Sequence, residues 1–237
     1  MPVCLFVYAT VIIEVILPRS CRFAKELNRC MLEQMKTDLH HYPLISDQIT
    51  RPALEVVLGE LEYVLDSEID GAIAEFGCYI GTTSLFIRRI LDAYQDSRPF
   101  HVYDSFEGLP EKTRQDQNAA GVDFTSGALA VSKKQFLEQF RRANLKPPHV
   151  HRGWFSELGT DDIPESLAFA FLDGDFYDSI MTSLRLCWPR LAAGGSLAID
   201  DYKRETLPGV ERAVSDFFGG VPSSLRYAHN IAVIRKG

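Results

Sequence analysis

Two pairs of aspartates, each directly after a short apolar run, are the residues with the most chemistry to offer: Leu172-Asp173-Gly174-Asp175 and Ile199-Asp200-Asp201-Tyr202. The preceding Phe169-Ala170-Phe171-Leu172 and Ser196-Leu197-Ala198-Ile199 show little alternation, as strands covered on both faces do. If both strands end at the carboxyl edge of one parallel sheet, the carboxylates converge. Two unit charges about 4 Å apart repel by roughly 4 kcal/mol at an effective dielectric near 20, so such a cluster needs a cation or raised pKa values. All-oxygen donors without a nearby His/Cys cluster suit Mg²⁺ or another hard divalent ion rather than zinc. Solvated turns are the competing reading, since Asp-Gly-Asp and Asp-Asp are turn-rich. Placement directly after two apolar strands favours the metal.

A second constellation precedes these. Ala74-Glu75-Phe76-Gly77-Cys78-Tyr79-Ile80-Gly81-Thr82 runs from an expected strand into an expected helix. Gly77 and Gly81 allow a tight turn and close backbone approach to a ligand, and the helix starting near Thr82 offers free N–H groups. A dinucleotide site would want Gly-x-Gly-x-x-Gly, whereas this turn is Gly77-x-x-x-Gly81 with Glu75 placed to repel phosphate. That acidic residue suits the cationic S-adenosylmethionine. Asp104, at the end of Val102-Tyr103-Asp104-Ser105-Phe106, is placed to accept hydrogen bonds from ribose hydroxyls. A turn-capping role for Asp104 is the plainer alternative.

The elements that must position these residues are legible as a rhythm. Ile69–Phe76, Pro99–Tyr103, His149–Arg152, Leu167–Leu172 and Gly195–Ile199 read as strands, several followed by helical periodicity. That alternation predicts a doubly wound, mostly parallel α/β sheet. Leu225–Ala228 and Ile231–Arg235 around His229-Asn230 read as a terminal antiparallel hairpin. About thirty polar residues between Tyr103 and a helix expected near Ser132 are too many for a simple connection and read as a lid. Residues 19–66 carry helical spacing with Pro43 and Pro52 as breaks, giving a division into an N-terminal segment and helical cap (1–66) and a main domain (67–237).

Composition sets outer limits. The 237 residues suffice for one large domain, and 46% hydrophobic with 24% charged residues is globular composition. A net charge of −7 predicts no general attraction to nucleic acid or anionic membrane. The odd number of cysteines, 5, without CxxC spacing points away from disulfides and structural zinc, and so to a reduced, cytoplasmic protein. The apolar run from Cys4 to Leu17 contains Glu14, costly in lipid. We expect no membrane span there, but a buried segment or a contact with a partner or second copy. The six histidines lack ligand spacing and receive no role.

Taken together, Ala74-Glu75-Phe76-Gly77-x-x-x-Gly81, the block Val102 to Pro110 (Val-Tyr-Asp-Ser-Phe-Glu-Gly-Leu-Pro), Leu172-Asp173-Gly174-Asp175-x-Tyr177-x-Ser179 and Asp200-Asp201-Tyr202 resemble the macrocin O-methyltransferase family. The resemblance covers roughly residues 55–235 and implies a Rossmann-like, class I S-adenosylmethionine-dependent enzyme acting on sugar hydroxyls of natural products. It implies Mg²⁺ held by Asp173, Asp200 and Asp201, and Asp175 as general base. It also implies a cofactor site lined by Glu75, Gly77, Asp104, Ser105 and Gly153-Trp154. The expected acceptor is a small molecule bearing a sugar or polyol. A catechol-type O-methyltransferase, an NAD-dependent oxidoreductase and a non-catalytic nucleotide-binding protein are the readings it competes with.

Overall fold

A computed structural model describes residues 41–117 and 124–237, and Leu44–Gly237 form one compact unit within it. The apolar run 4–17, the helices expected before residue 41 and the centre of the lid lie outside the described residues.

Seven strands build the sheet: β1 (Ala72–Phe76), β2 (Phe100–Asp104), β3 (His149–Arg152), β4 (Leu167–Leu172), β5 (Leu191–Ile199), β6 (Arg226–Ala228) and β7 (Ile231–Arg235). Their order is β3-β2-β1-β4-β5-β7-β6, with β7 antiparallel to both neighbours and the pairings among β1 to β5 parallel. The expected hairpin is therefore present. It turns at His229 and Asn230, whose φ of 50° and 67° are the left-handed pair that two-residue hairpin turns require. β1 starts three residues later than the apolar pattern suggests. The Ile69 N–H instead closes the preceding helix on the Val64 carbonyl at 3.0 Å, and Gly71 turns with φ of 135°.

Helices α1 (Arg51–Asp66), α2 (Thr82–Ala93), α3 (Lys133–Ala143), α4 (Tyr177–Cys187) and α5 (Pro208–Phe218) complete the unit. Pro52 does not break α1. It sits in the first turn, where a missing N–H costs nothing, and the Thr50 hydroxyl caps the helix by accepting from the Ala53 N–H. α3 begins where expected, with Ser132 and Gln135 forming a reciprocal capping box. α4 and α5 bury Ile180, Leu184, Val210 and Val214 against Phe76, Leu172, Leu197 and Ile199. α1 packs on β4, β5 and β7, burying Leu54, Val57, Leu61 and Val64 at helical spacing.

One buried charge anchors α1. Glu60 accepts from Ser196 Oγ at 2.7 Å, from Arg235 Nε and Nη2 at 2.9 and 3.1 Å, and from Arg226 Nη2 at 2.9 Å. Burial pushes its carboxyl up, but the hydrogen bonds from Arg235 and Ser196 and the charge of Arg226 outweigh this and hold it below the usual value of 4.5. A carboxyl held low stabilises the fold above its unfolded pKa, and that contribution disappears as pH falls through the folded value. Glu60→Ala should therefore cost about 2 kcal/mol in urea unfolding at pH 7, with the gap to wild type closing below pH 4. A variant equally stable at pH 7 would show that the cluster contributes nothing to docking α1.

Candidate active site

Register decides which side chains meet. Phe76 pairs with Tyr103 on one side and Leu172 on the other, and Leu172 pairs with Ile199. The next residue of each strand, Gly77, Asp104, Asp173 and Asp200, therefore stands in one row at the carboxyl edge. Backbone bonds tie the row together: Gly77 N–H to the Tyr103 carbonyl at 2.9 Å, Asp173 N–H to Phe76 at 2.8 Å, and Asp200 N–H to Leu172 at 2.9 Å. β1 is the point where the chain, having wound outward through β2 and β3, returns on the other side through β4. Crevices for ligands open at such a point.

A cavity open to solvent lies over this row and is lined by Gly77, Cys78, Tyr79, Asp104, Asp173, Asp175 and Asp201 on the sheet side. Leu109, Pro110, Phe124, Leu129 and Arg204 close the other side, and Gln48 reaches in from the segment before α1.

The glycines are needed for conformation as much as for ligand approach. Gly77 has φ of 87°, and a Cβ there would stand 2.0 Å from the Asp173 carbonyl oxygen. Only glycine lets β1 and β4 end this close together. Gly81 has φ of 96°, and its Cβ would meet the Phe136 ring at 2.9 Å.

Asp104 organises the turn between them. Its Oδ2 accepts from the N–H groups of Cys78 at 2.8 Å and Tyr79 at 3.3 Å, and its Oδ1 from Phe106 N–H at 2.7 Å. A carboxylate has about four lone-pair sites, so Asp104 both caps the turn and keeps acceptor capacity on the cavity wall.

Glu75 is placed differently from what its motif suggests. It lies behind the turn, 1% exposed, where its Oε2 accepts from Ser84 Oγ at 2.5 Å. Burial, reinforced by the Asp104 charge and opposed by the Ser84 bond, pushes it up to about 8. It does not line the cavity. The period-2 alternation of β1 already puts Glu75 on the face of Ile73, under α2. Thr82 is buried in the first turn of α2 against Ser46, with the two hydroxyl oxygens 2.7 Å apart. Ser105, whose Oγ accepts from the Glu107 N–H, and Gly153-Trp154, turned toward Glu157, shape neighbouring loops and are not among the cavity-lining residues.

The four aspartates do converge. One oxygen each of Asp173, Asp175 and Asp201 lies within 4.8 Å of the others, the one group of this kind among the described residues. Asp200 stands slightly apart, one oxygen accepting the Asp201 N–H at 2.7 Å. The family resemblance implies a metal set of Asp173, Asp200 and Asp201 with Asp175 aside as base; the geometry instead draws Asp175 into the trio. Asp175 and Asp201 both have left-handed backbones, φ of 60° and 55°, a conformation that aspartate tolerates at some cost.

Burial first, and then mutual repulsion, push the carboxyls of Asp173 and Asp175 well above the usual range. The same causes take Asp200 up to about 7. Burial raises Asp201 too, but there the Arg204 guanidinium opposes it. Carboxylate oxygens gathered this closely, with one guanidinium bonded to them through Asp201, are the kind of donor a hard divalent cation takes.

The chain matches the family described as Macrocin-O-methyltransferase (TylF) over residues 31–228. It belongs to that family. A relative from Streptomyces olivaceus, the 8-demethyl-8-(2,3-dimethoxy-alpha-L-rhamnosyl)-tetracenomycin-C 4'-O-methyltransferase, is 35% identical over 166 residues, 67% of this chain and 62% of the relative. The chain thus spans less than two thirds of that relative's length. The solved O-methyltransferase NovP superposes with a TM-score of 0.66 at 20% identity, covering 90% of this chain and 98% of NovP. The calicheamicin methyltransferase CalS11 gives 0.67 at 21% identity, covering 88% and 92%. The fold is the class I methyltransferase fold. Among the described residues no helix is long and apolar enough to cross a membrane.

For a member of this family, two site residues stand out that its motifs do not mark. Arg204 donates to Asp201 at 2.6 Å. Asp116, 2% exposed, accepts from Thr113 N–H and Oγ1 at 2.9 and 2.6 Å, and from the Tyr177 N–H that opens α4 at 2.7 Å. It ties the stem of the lid to the helix two residues beyond Asp175. Thr113-x-x-Asp116 has the spacing of a capping box, a signal present in the sequence itself.

The raised carboxyls make a stability prediction. A folded pKa above the unfolded value means that ionisation is penalised in the fold. The penalty is absent below about pH 4, grows as pH rises toward the folded value and is complete above it. Asp200→Asn keeps the acceptor for Asp201 N–H and removes a charge. In the absence of divalent ions it should stabilise the protein by about 1–2 kcal/mol at pH 8 and be neutral near pH 4. Thermal melts across that range check this; a variant less stable at pH 8 would mean the carboxyl is not under repulsion.

Proposed function

We propose that this chain is an S-adenosylmethionine-dependent O-methyltransferase that methylates a hydroxyl of a sugar or polyol-bearing small molecule with the help of Mg²⁺. The observation that carries this is the level row of Gly77, Asp104, Asp173 and Asp200 at the switch point of the sheet, with Asp175 and Asp201 just above it in the same cavity. The relative from Streptomyces olivaceus is named for methylating a rhamnosyl sugar, which supports a sugar acceptor.

Each residue then has a chemical task. The free lone pair of Asp104 accepts from the cofactor's ribose, while its other pairs hold the turn beneath. The backbone between Gly77 and Tyr79 supplies a close, side-chain-free wall for the cofactor. Asp173 and Asp201 hold the cation, with Asp200 adjoining, and Mg²⁺ when bound lowers the pKa of an acceptor hydroxyl. Asp175, the third of the clustered carboxyls and kept basic by burial and by its neighbours, accepts the hydroxyl proton. Leu109, Pro110, Phe124 and Leu129 exclude water on the acceptor side and orient the nucleophile.

Calorimetry and turnover test this together. S-adenosylhomocysteine should bind with or without Mg²⁺, and Asp104→Ala should weaken it strongly. Methyl transfer from labelled S-adenosylmethionine to deoxysugar acceptors should stop in excess chelator. Asp175→Asn should retain S-adenosylhomocysteine binding and lose about 10²–10⁴ in turnover, the range of a general-base contribution. Binding of NAD in place of S-adenosylhomocysteine, or full activity with chelator, would overturn the reading.

A further inference from the structure

The acidic site carries a cation of its own. Arg204 Nη1 donates to Asp201 Oδ1 at 2.6 Å, and the guanidinium stands 5.9 Å from the centre of the Phe124 ring on the acceptor side. The arginine side chain is 41% exposed and the Asp201 side chain only 9%, so one partner is fixed and the other has room to leave.

The backbone around the pair does not depend on it. Arg204 N–H donates to the Asp201 carbonyl at 3.1 Å, Tyr202 N–H to the Asn230 carbonyl at 2.9 Å, and Asp201 N–H to Asp200 at 2.7 Å. Tyr202 is buried beneath, 1% exposed. With the turn held this way, the ion pair is a detachable contact on a rigid support.

We propose that Arg204 is a displaceable counter-ion. It neutralises Asp201 while no divalent cation is bound, yields that carboxylate when one arrives, and settles toward Phe124 at the acceptor wall. The inference rests on the metal reading above and deepens it, because it makes cation loading and the arrangement of the acceptor side two ends of one movement. The physical basis is competition. A compact divalent ion and a guanidinium both seek the Asp201 oxygens, and a positive charge left beside the ion repels it. Phe124 offers the released guanidinium a cation–π partner, so its departure is not into bare solvent. Arg204 is in this sense a positioning residue. Its part is to set how readily the cation that would activate the acceptor hydroxyl is taken up.

The test needs no turnover. Mg²⁺ titration of the full chain by calorimetry at pH 8 compares wild type, Arg204→Gln and Arg204→Lys, with S-adenosylhomocysteine binding as the check that each variant is folded. Arg204→Gln should bind Mg²⁺ at least about tenfold more tightly, because the competitor is gone, while Arg204→Lys should stay near wild type. In ¹⁵N-arginine-labelled wild type, the guanidinium signal absent from Arg204→Gln should shift as Mg²⁺ is added. An Arg204 that merely braces the turn gives the reverse, weaker Mg²⁺ in Arg204→Gln and an unmoved signal, and that overturns the proposal. Equal Mg²⁺ affinity in wild type and Arg204→Gln overturns the proposal alone. Failure of all three proteins to bind Mg²⁺ overturns the metal reading and the counter-ion with it.

Discussion

Like charges forced together at one edge of the sheet are the constraint to which the rest of this structure answers. Parallel pairing brings β1, β4 and β5 to an end at the same level, so the residues just past each strand are held shoulder to shoulder by backbone hydrogen bonds that no side chain can relax. Where two of those residues are Asp173 and Asp200, their backbones cannot separate without unmaking the sheet. The close approach itself depends on Gly77, since any Cβ there would run into the Asp173 carbonyl. The repulsion is a consequence of topology, and it adds to burial in raising the carboxyls.

The surrounding elements are arranged to hold that cluster still rather than to relieve it. α4 starts at Tyr177, and its first N–H is taken by Asp116 from the lid stem, so the chain just beyond Asp175 is clamped to the loop that forms the far wall. That wall is itself cross-tied: Leu109 N–H donates to the Ala128 carbonyl and Gly127 N–H to Leu109, both at 2.8 Å, which fixes the two stems of the lid side by side. The Arg212 guanidinium, on α5, donates to the Gln115 carbonyl. Two helices and the lid stems thus share one framework around the acidic edge. A site meant to hold charges at fixed separation needs such a framework, because a small displacement changes electrostatic terms steeply in a low-dielectric setting.

Much of this is legible in the residues. The strand–helix alternation, the terminal hairpin at His229-Asn230, the turn after β1 and the two acidic strand ends all come from local pattern, and the structure has them. The hidden part depends on register and on contacts distant in sequence. Glu75 looks like a cavity residue in a motif, yet strand alternation turns it under α2 toward Ser84. Asp116 and Tyr177 lie 61 residues apart, and nothing local announces that one caps the other. The histidines are a similar case. His101 and His151 show no ligand spacing, but pairing of β2 with β3 sets their ring nitrogens 3.0 Å apart, with His149 stacked on His101 at 5.0 Å between ring centres. Burial and the neighbouring imidazoles then push His101 down to about 4, keeping it neutral near pH 7.

The same contrast separates Glu60 from the clustered aspartates, two of the buried acidic features of the fold. Glu60 is surrounded by Arg226, Arg235 and Ser196, every one of these neighbours a donor, and its charge is stabilised. The aspartates at the carboxyl edge of the sheet have one arginine among them, and burial and mutual repulsion push the carboxyls of Asp173, Asp175 and Asp200 up. A chain able to satisfy one buried carboxylate so fully had the means to satisfy the others. The shortage of countercharge among the clustered aspartates sits in the cavity, at the switch point, where Asp175 and Asp201 have left-handed backbone.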